Sequence, residues 1–286
     1  MKISMLVGGQ WFYFLKKYNK IHGNKRKRLQ KIFEMAKTYL LSFEKVNNTI
    51  LERHLNYWKN RKPKSMNEML KAMLVHAKNR RAMNNAIGKI ENLRSLLFDF
   101  EPSIIVEKYG SDWKKLFHTI HKNYAPPGRM EINNPKNYWV IFCKTILSAS
   151  KFLSNFSSVK EFDEFVAYFY PNEYTRLALP LLLKEEIYGY GFALACDFLK
   201  ENGYPEFVKP DVHIKDIFYG IGISNSKHDY EVFKDVIRFS EVINEIPYVV
   251  DKLFWLVGSG YFYLTYPNER IKTDKRKFIE QVKTSL

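Results

Sequence analysis

The chain has 286 residues, of which 46% are hydrophobic and 16% aromatic. That composition excludes a disordered chain, which buries too little apolar surface to offset the entropy of ordering. The formal charge of +16 is uneven: residues 1–100 hold 22 Lys and Arg against 6 Asp and Glu, whereas residues 101–286 hold 24 of each. A one-signed field of that size attracts polyanions and releases their counterions, so nucleic acid stands first among partners and an anionic membrane surface second. The plain alternative is a solvated basic face.

In chain order, Met1–Leu15 contains Gly8, Gly9 and Gln10 and lacks a small-residue cleavage site, so no signal peptide is expected. Lys16–Lys31 carries eight basic residues, including Lys25-Arg26-Lys27-Arg28, suited to a phosphate backbone or simply to solvent. Ser65-Met66-Asn67-Glu68 forms a capping box. It opens an apolar stripe through Met66, Met69, Leu70, Met73, Leu74, Ala77, Ile87, Ile90 and Leu97, which predicts one long helix. Residues 124–137 are dense in Pro, Gly and Asn, and a boundary is placed there. A basic, mainly helical region (1–137) thus precedes a second helical region (138–286). Apolar residues recur every three or four positions nearly throughout, giving a mainly α fold.

No apolar run is long enough to span a bilayer, since Trp11–Leu15 is short and Phe254–Tyr266 is interrupted. Cys143 and Cys196 form no CxxC or Cys/His set, which excludes a disulfide framework or a four-Cys metal site and fits a reducing, cytoplasmic setting.

The chemistry concentrates in two places. Ile187-Tyr188-Gly189-Tyr190-Gly191 lies between the apolar helical segments Leu177–Leu183 and Phe192–Leu199. Its paired glycines allow a tight turn and a close backbone approach, and a helix opening at Phe192 would present free amides to a phosphate. An ordinary helix–helix corner is the bland alternative. Twenty residues on, Pro210-Asp211-Val212-His213-Ile214 places Asp211 as the N-cap of a helix. A cap can also act chemically, because a carboxylate fixed by helix amides suits electrostatic stabilisation.

This ordered pair resembles the helix-hairpin-helix superfamily of DNA glycosylases, whose hairpin precedes a Val-Asp-x-His segment bearing the catalytic carboxylate. Pro247–Gly260 resembles the family's late helix, and Trp139–Ser150 its early one. The resemblance covers about residues 138–262 and implies a helix-hairpin-helix DNA glycosylase fold with the basic N-terminal region added. It implies Asp211 as the catalytic residue and DNA contacts from Tyr188, Gly189, Tyr190, Gly191, Ser150, Lys151, Lys209 and His213. Tyr138, Trp139, Phe142 and Trp255 would line a pocket for an extruded base. Bifunctional members carry a Schiff-base lysine two residues after the second hairpin glycine; Ala193 stands there, implying a monofunctional enzyme in which water attacks and an abasic site remains. Ser148-Ala149-Ser150-Lys151 departs from the family's usual Gln or Asn in the gap-filling position.

No cofactor is required under this reading, although a structural monovalent cation, K+ or Na+, at the hairpin is implied by the resemblance. No metal is expected, since His213 has no second His or Cys at ligand spacing and reads as packed or DNA-facing. DNA is the expected partner, with no membrane and no protein partner implied. The substrate is either an alkylated or otherwise damaged base, in repair, or a hypermodified phage base such as glucosylated hydroxymethylcytosine, in antiphage defence. The rivals are a non-catalytic DNA-binding protein using the hairpin for phosphate contacts alone, and a helical scaffold or membrane-surface protein.

Overall fold

A computed structural model describes residues 8–286 apart from 60 and 81, with side chains described from residue 23 onward. Met1–Val7 and the side chains up to His22 lie outside the described residues, and with them most of the opening stretch read for a signal peptide and the first part of the basic segment. Lys25, Arg26, Lys27 and Arg28 are exposed on a helix.

Among the described residues the regular structure is helical: α1 (Gly8–Leu41), α2 (Asn48–Asn56), α3 (Met66–Ala77), α4 (Met83–Ile87), α5 (Pro102–Tyr109), α6 (Trp113–Asn123), α7 (Tyr138–Leu153), α8 (Val159–Ala167), α9 (Glu173–Glu186), α10 (Phe192–Glu201), α11 (Val212–Gly220), α12 (Asp229–Ile243), α13 (Pro247–Ser259) and α14 (Lys275–Ser285). The expected mainly α fold is found. No described helix is long and apolar enough to cross a membrane.

Helix starts follow local chemistry. Asn47, Ser65, Asp112, Asn137, Ser158, Asn172, Asp211 and Asp274 each cap a first turn with a side-chain oxygen, satisfying amides that have no partner inside the helix. At Ser65 the box is shifted by one residue: Ser65 accepts the Glu68 amide, while Glu68 reaches back to the amide of Lys64.

The long helix expected from Met66 to Leu97 is instead α3, a turn, the short α4 and a 3-10 turn at Ile90–Leu93. The apolar positions are buried as expected, but they follow a bent path. Burial sets the spacing of apolar residues without demanding that one helix carry them all.

Two helices organise the interior. α7 packs against α3, α5 and α6, and α13 packs against α1, α2, α11 and α12. The proposed division at 137/138 falls in the helix-free stretch before α7, and helices from both sides of it share one hydrophobic core. Between these two centres run α9, the hairpin and α10, and then the extended segment leading to α11.

Candidate active site

The hairpin joins α9 to α10 through Ile187–Gly191. Gly189 takes φ +79°, and a β-carbon there would lie 3.0 Å from Ile141 Cγ2 and 3.3 Å from Thr145 Oγ1, so a side chain is opposed by both backbone conformation and space. Gly191 has φ −94° and open space around it. α7 holds the turn from beneath: Thr145 donates its hydroxyl to the Tyr188 carbonyl (2.7 Å), and Ser148 Oγ accepts the Tyr188 amide (2.9 Å). Sequence reading missed both anchors, whose spacing of three along α7 is their only sequence trace.

Among the described residues, the amides of Gly189, Gly191, Phe192 and Ala193 have no hydrogen-bond acceptor, and the start of α10 has no side-chain cap. Four free donors beside an open glycine make an anion-binding surface. Tyr188 is exposed next to it, with the Lys144 ammonium 4.9 Å from its ring centre and 4.9 Å from that of Trp113. Lys151 is exposed at the end of α7.

Several expected contacts fall elsewhere. Tyr190 is buried, its hydroxyl donates to the Met73 carbonyl and its amide to the Ile187 carbonyl, so it fastens the hairpin to α3 and has no free group for DNA. Ser150 is wholly buried, with its hydroxyl facing the core. Trp139 and Phe142, read as pocket residues, are also fully buried and pack on one another and on Tyr124. An aromatic on the inner face of α7 serves the core because that helix is enclosed by its neighbours. Tyr138 is partly buried at the helix start.

Asp211 caps α11. One carboxylate oxygen, Oδ1, accepts the amides of His213 (2.9 Å) and Ile214 (3.1 Å). Oδ2 has no partner among the described residues. The carboxylate is therefore oriented by the helix and leaves one oxygen free. His213 is half-buried, with its β-carbon against Gly258 of α13, where a side chain on Gly258 would come within 2.5 Å of it. Burial lowers the His213 pKa against the opposing charge of Asp211, so the imidazole is a packed group tying α11 to α13.

The segment before Asp211 is anchored by buried charge. The Lys209 amide donates to Asp251, whose other oxygen accepts the Lys200 ammonium at 2.7 Å. The Lys209 ammonium meets Asp197 at 2.8 Å. Lys209 is thus committed to a carboxylate and is not the free phosphate contact expected. Burial works against the Asp197 carboxyl, but Lys209, His76 and Lys200 outweigh it and hold its pKa well below the usual range. Burial likewise opposes the Lys200 and Lys209 ammonium groups, and the surrounding carboxylates raise both. Burial raises Asp251, with Lys200 pulling the other way.

These groups line a cavity of about 240 Å³ together with Trp58, Glu201, Lys252, Trp255, Tyr261 and Tyr263. Of the expected pocket residues only Trp255 is in its wall. Trp58 follows α2, in the N-terminal region, and donates its indole N–H to the Tyr263 hydroxyl (2.6 Å), which also accepts from Lys252 (3.2 Å). With both lone pairs engaged, the Tyr263 O–H is left to donate. Lys252 stands among Trp255, Tyr263 and Tyr248 at 4.8, 5.1 and 5.9 Å from the ring centres, and burial lowers its pKa. The pair Asp251-Lys252 inside the apolar run Pro247–Gly260 was the sequence signal for this network.

His76, Asp197 and Glu201 bring three potential metal ligands within 4.8 Å of one another. The Asn202 amide nitrogen reaches His76 Nε2 at 3.2 Å and also donates to the Phe198 carbonyl, which makes Nε2 the acceptor and leaves the proton on Nδ1, facing Asp197 at 3.5 Å. With two lysines also on Asp197, the trio reads as an ion-pair network.

No family model matches the chain, and comparison with curated proteins gives no significant match. Among solved structures, the chain is similar to an 8-oxoguanine glycosylase/lyase of Methanocaldococcus jannaschii, in complex with a 15mer DNA containing 8-oxoguanine. The identity is 17%, over 85% of this chain and 100% of that one, with a TM-score of 0.47. At that level the likeness assigns no role to any residue here.

Proposed function

We propose that the chain is a monofunctional DNA glycosylase of the helix-hairpin-helix superfamily, which extrudes a base from DNA and hydrolyses its N-glycosidic bond. The observation that carries this reading is the state of Asp211: one oxygen clamped by helix amides and the other free, with the aromatic cavity reached through Lys209 two residues away.

The steps follow from the residues. The free amides of Gly189, Gly191, Phe192 and Ala193 take a phosphate beside the target, aided by Tyr188, Lys144 and Lys151. The base unstacks and enters the cavity between Trp58, Trp255 and Tyr261. As the glycosidic bond stretches, positive charge develops on the sugar, and the free oxygen of Asp211 stabilises it and orients or deprotonates a water. The base leaves with the bonding electron pair, and an abasic site remains. Ala193 offers no amine for a Schiff base, and Lys200 and Lys209 are held by aspartates.

A monovalent cation would be held by the hairpin carbonyls of Gly189 and Tyr190 and the second lone pairs of Ile187 and Tyr188, where it would add positive charge near the phosphate. Buried free thiols at Cys143 and Cys196 accord with work in the cytoplasm. Three lysines against two carboxylates in the cavity wall disfavour a cationic alkylated purine and favour a neutral base. Two neutral classes fit: damaged bases in repair, and hypermodified bases such as glucosylated hydroxymethylcytosine in antiphage defence.

The test is a panel of duplexes carrying alkylated, deaminated, oxidised or hypermodified bases, assayed for strand breaks with and without alkali. Breaks that need alkali support a monofunctional glycosylase. Tight binding with no release from any duplex supports a non-catalytic DNA-binding protein instead.

A further inference from the structure

The small cavity does not end at Trp58 and Glu201. Both residues also line a second, larger hollow of about 1000 Å³, walled by α3, the segment after α2, the turn at Asp99 and the end of α10. A nucleobase in the inner cavity would therefore face an open chamber across Trp58 and Glu201, far larger than a base alone needs.

The charges of this outer chamber are largely spent on one another. Lys71 pairs with Glu91 at 2.9 Å and Arg94 with Asp99 at 3.4 Å, both across its wall, and Lys62 is drawn to Asp163 at 2.9 Å. An anionic ligand would have to break these pairs, and so would a cationic one. Neutral hydrogen-bonding groups are left over: the Ser65 hydroxyl proton, since its oxygen accepts from Glu68, and the Asn67 carbonyl, since its amide nitrogen donates to Asp99. Donors and acceptors in a charge-balanced hollow, beside an indole face, suit a neutral ligand rich in hydroxyl groups.

Resting on the glycosylase reading, we propose that the outer chamber is a second subsite that takes a bulky, neutral, polyhydroxylated substituent on the extruded base. The substrate class is then a base enlarged by a group of monosaccharide size, with the ring in the inner cavity and its substituent beside α3.

The experiment uses the full chain and three duplexes that differ at one cytosine: a bare 5-hydroxymethyl group, the same group carrying a neutral hexose, and the same group carrying an anionic substituent of similar size. Single-turnover release of the hexosylated base is expected to exceed that of the other two by about tenfold or more, the margin of a site built to hydrogen-bond hydroxyls. Ala72→Trp, placed in the chamber wall, is expected to remove that preference and leave release of the bare base unchanged. Faster release of the bare or the anionic base by the unaltered protein overturns the subsite, whatever the variant does. Release from none of the three, nor from the wider panel of damaged bases, overturns the glycosylase reading itself.

Discussion

The backbone amide of Lys209 donates to the buried carboxylate of Asp251, 42 residues later on α13. This bond fixes the segment that delivers Asp211, and the carboxylate is in turn balanced by Lys200 at 2.7 Å, with both side chains almost completely buried. The position of the proposed catalytic group thus depends on an ion pair that touches no substrate.

Asp251→Asn keeps an acceptor for the Lys209 amide but removes the charge opposite Lys200. Breaking a buried pair on one side is expected to lower stability by about 3 kcal/mol. Excision should slow while DNA affinity holds, because the hairpin is untouched. Urea unfolding and single-turnover release check the two effects; unchanged stability would contradict the buried role given to the pair.

His54 gives a pH signature. It is fully buried against Phe262 and Tyr263, neither ring nitrogen has a partner, and burial lowers its pKa from 6.5 to about 4. Between those values the unfolded chain binds a proton that the folded one refuses. Its contribution is therefore present above pH 6.5 and lost as the pH falls toward 4, by up to about 3 kcal/mol. His54→Phe should flatten the stability profile in that window, as measured by denaturant unfolding at successive pH values.

The two hairpin glycines should respond differently. Gly189→Ala meets a positive φ and a crowded β-carbon, and is expected to cost about 1–2 kcal/mol of stability. Gly191→Ala meets neither obstacle, so stability should hold while DNA affinity falls, if a phosphate backbone lies against that position. Thermal unfolding paired with a DNA titration separates them.

These contrasts show what a sequence makes legible. The hairpin and the Asp211 cap could be placed because turn and cap chemistry are local: Gly-x-Gly and Pro-Asp state their conformations within a few residues. The inner cavity could not, because its walls come from Trp58, α10, α13 and the segment after it, and no periodicity links them. Trp139 and Trp255 illustrate the limit: both sit on apolar helices, and only packing decides that one is core and the other lines a cavity. Lys209 resembles a surface cation until Asp197, on another helix, is seen to hold it. The stripe from Met66 to Leu97 correctly marked buried residues but not the bends between them.

Asp211 carries the central claim, and its dual role as cap and catalyst can be separated. Asn caps helices as well as Asp does, whereas Ala forfeits about 1 kcal/mol, so Asp211→Asn should fold normally and bind DNA as the unaltered chain does. The decisive measurement is single-turnover base release by Asp211→Asn on a duplex that the unaltered protein processes, alongside its DNA affinity. The account predicts that release is abolished and affinity retained; a variant that still releases the base at the original rate would contradict it.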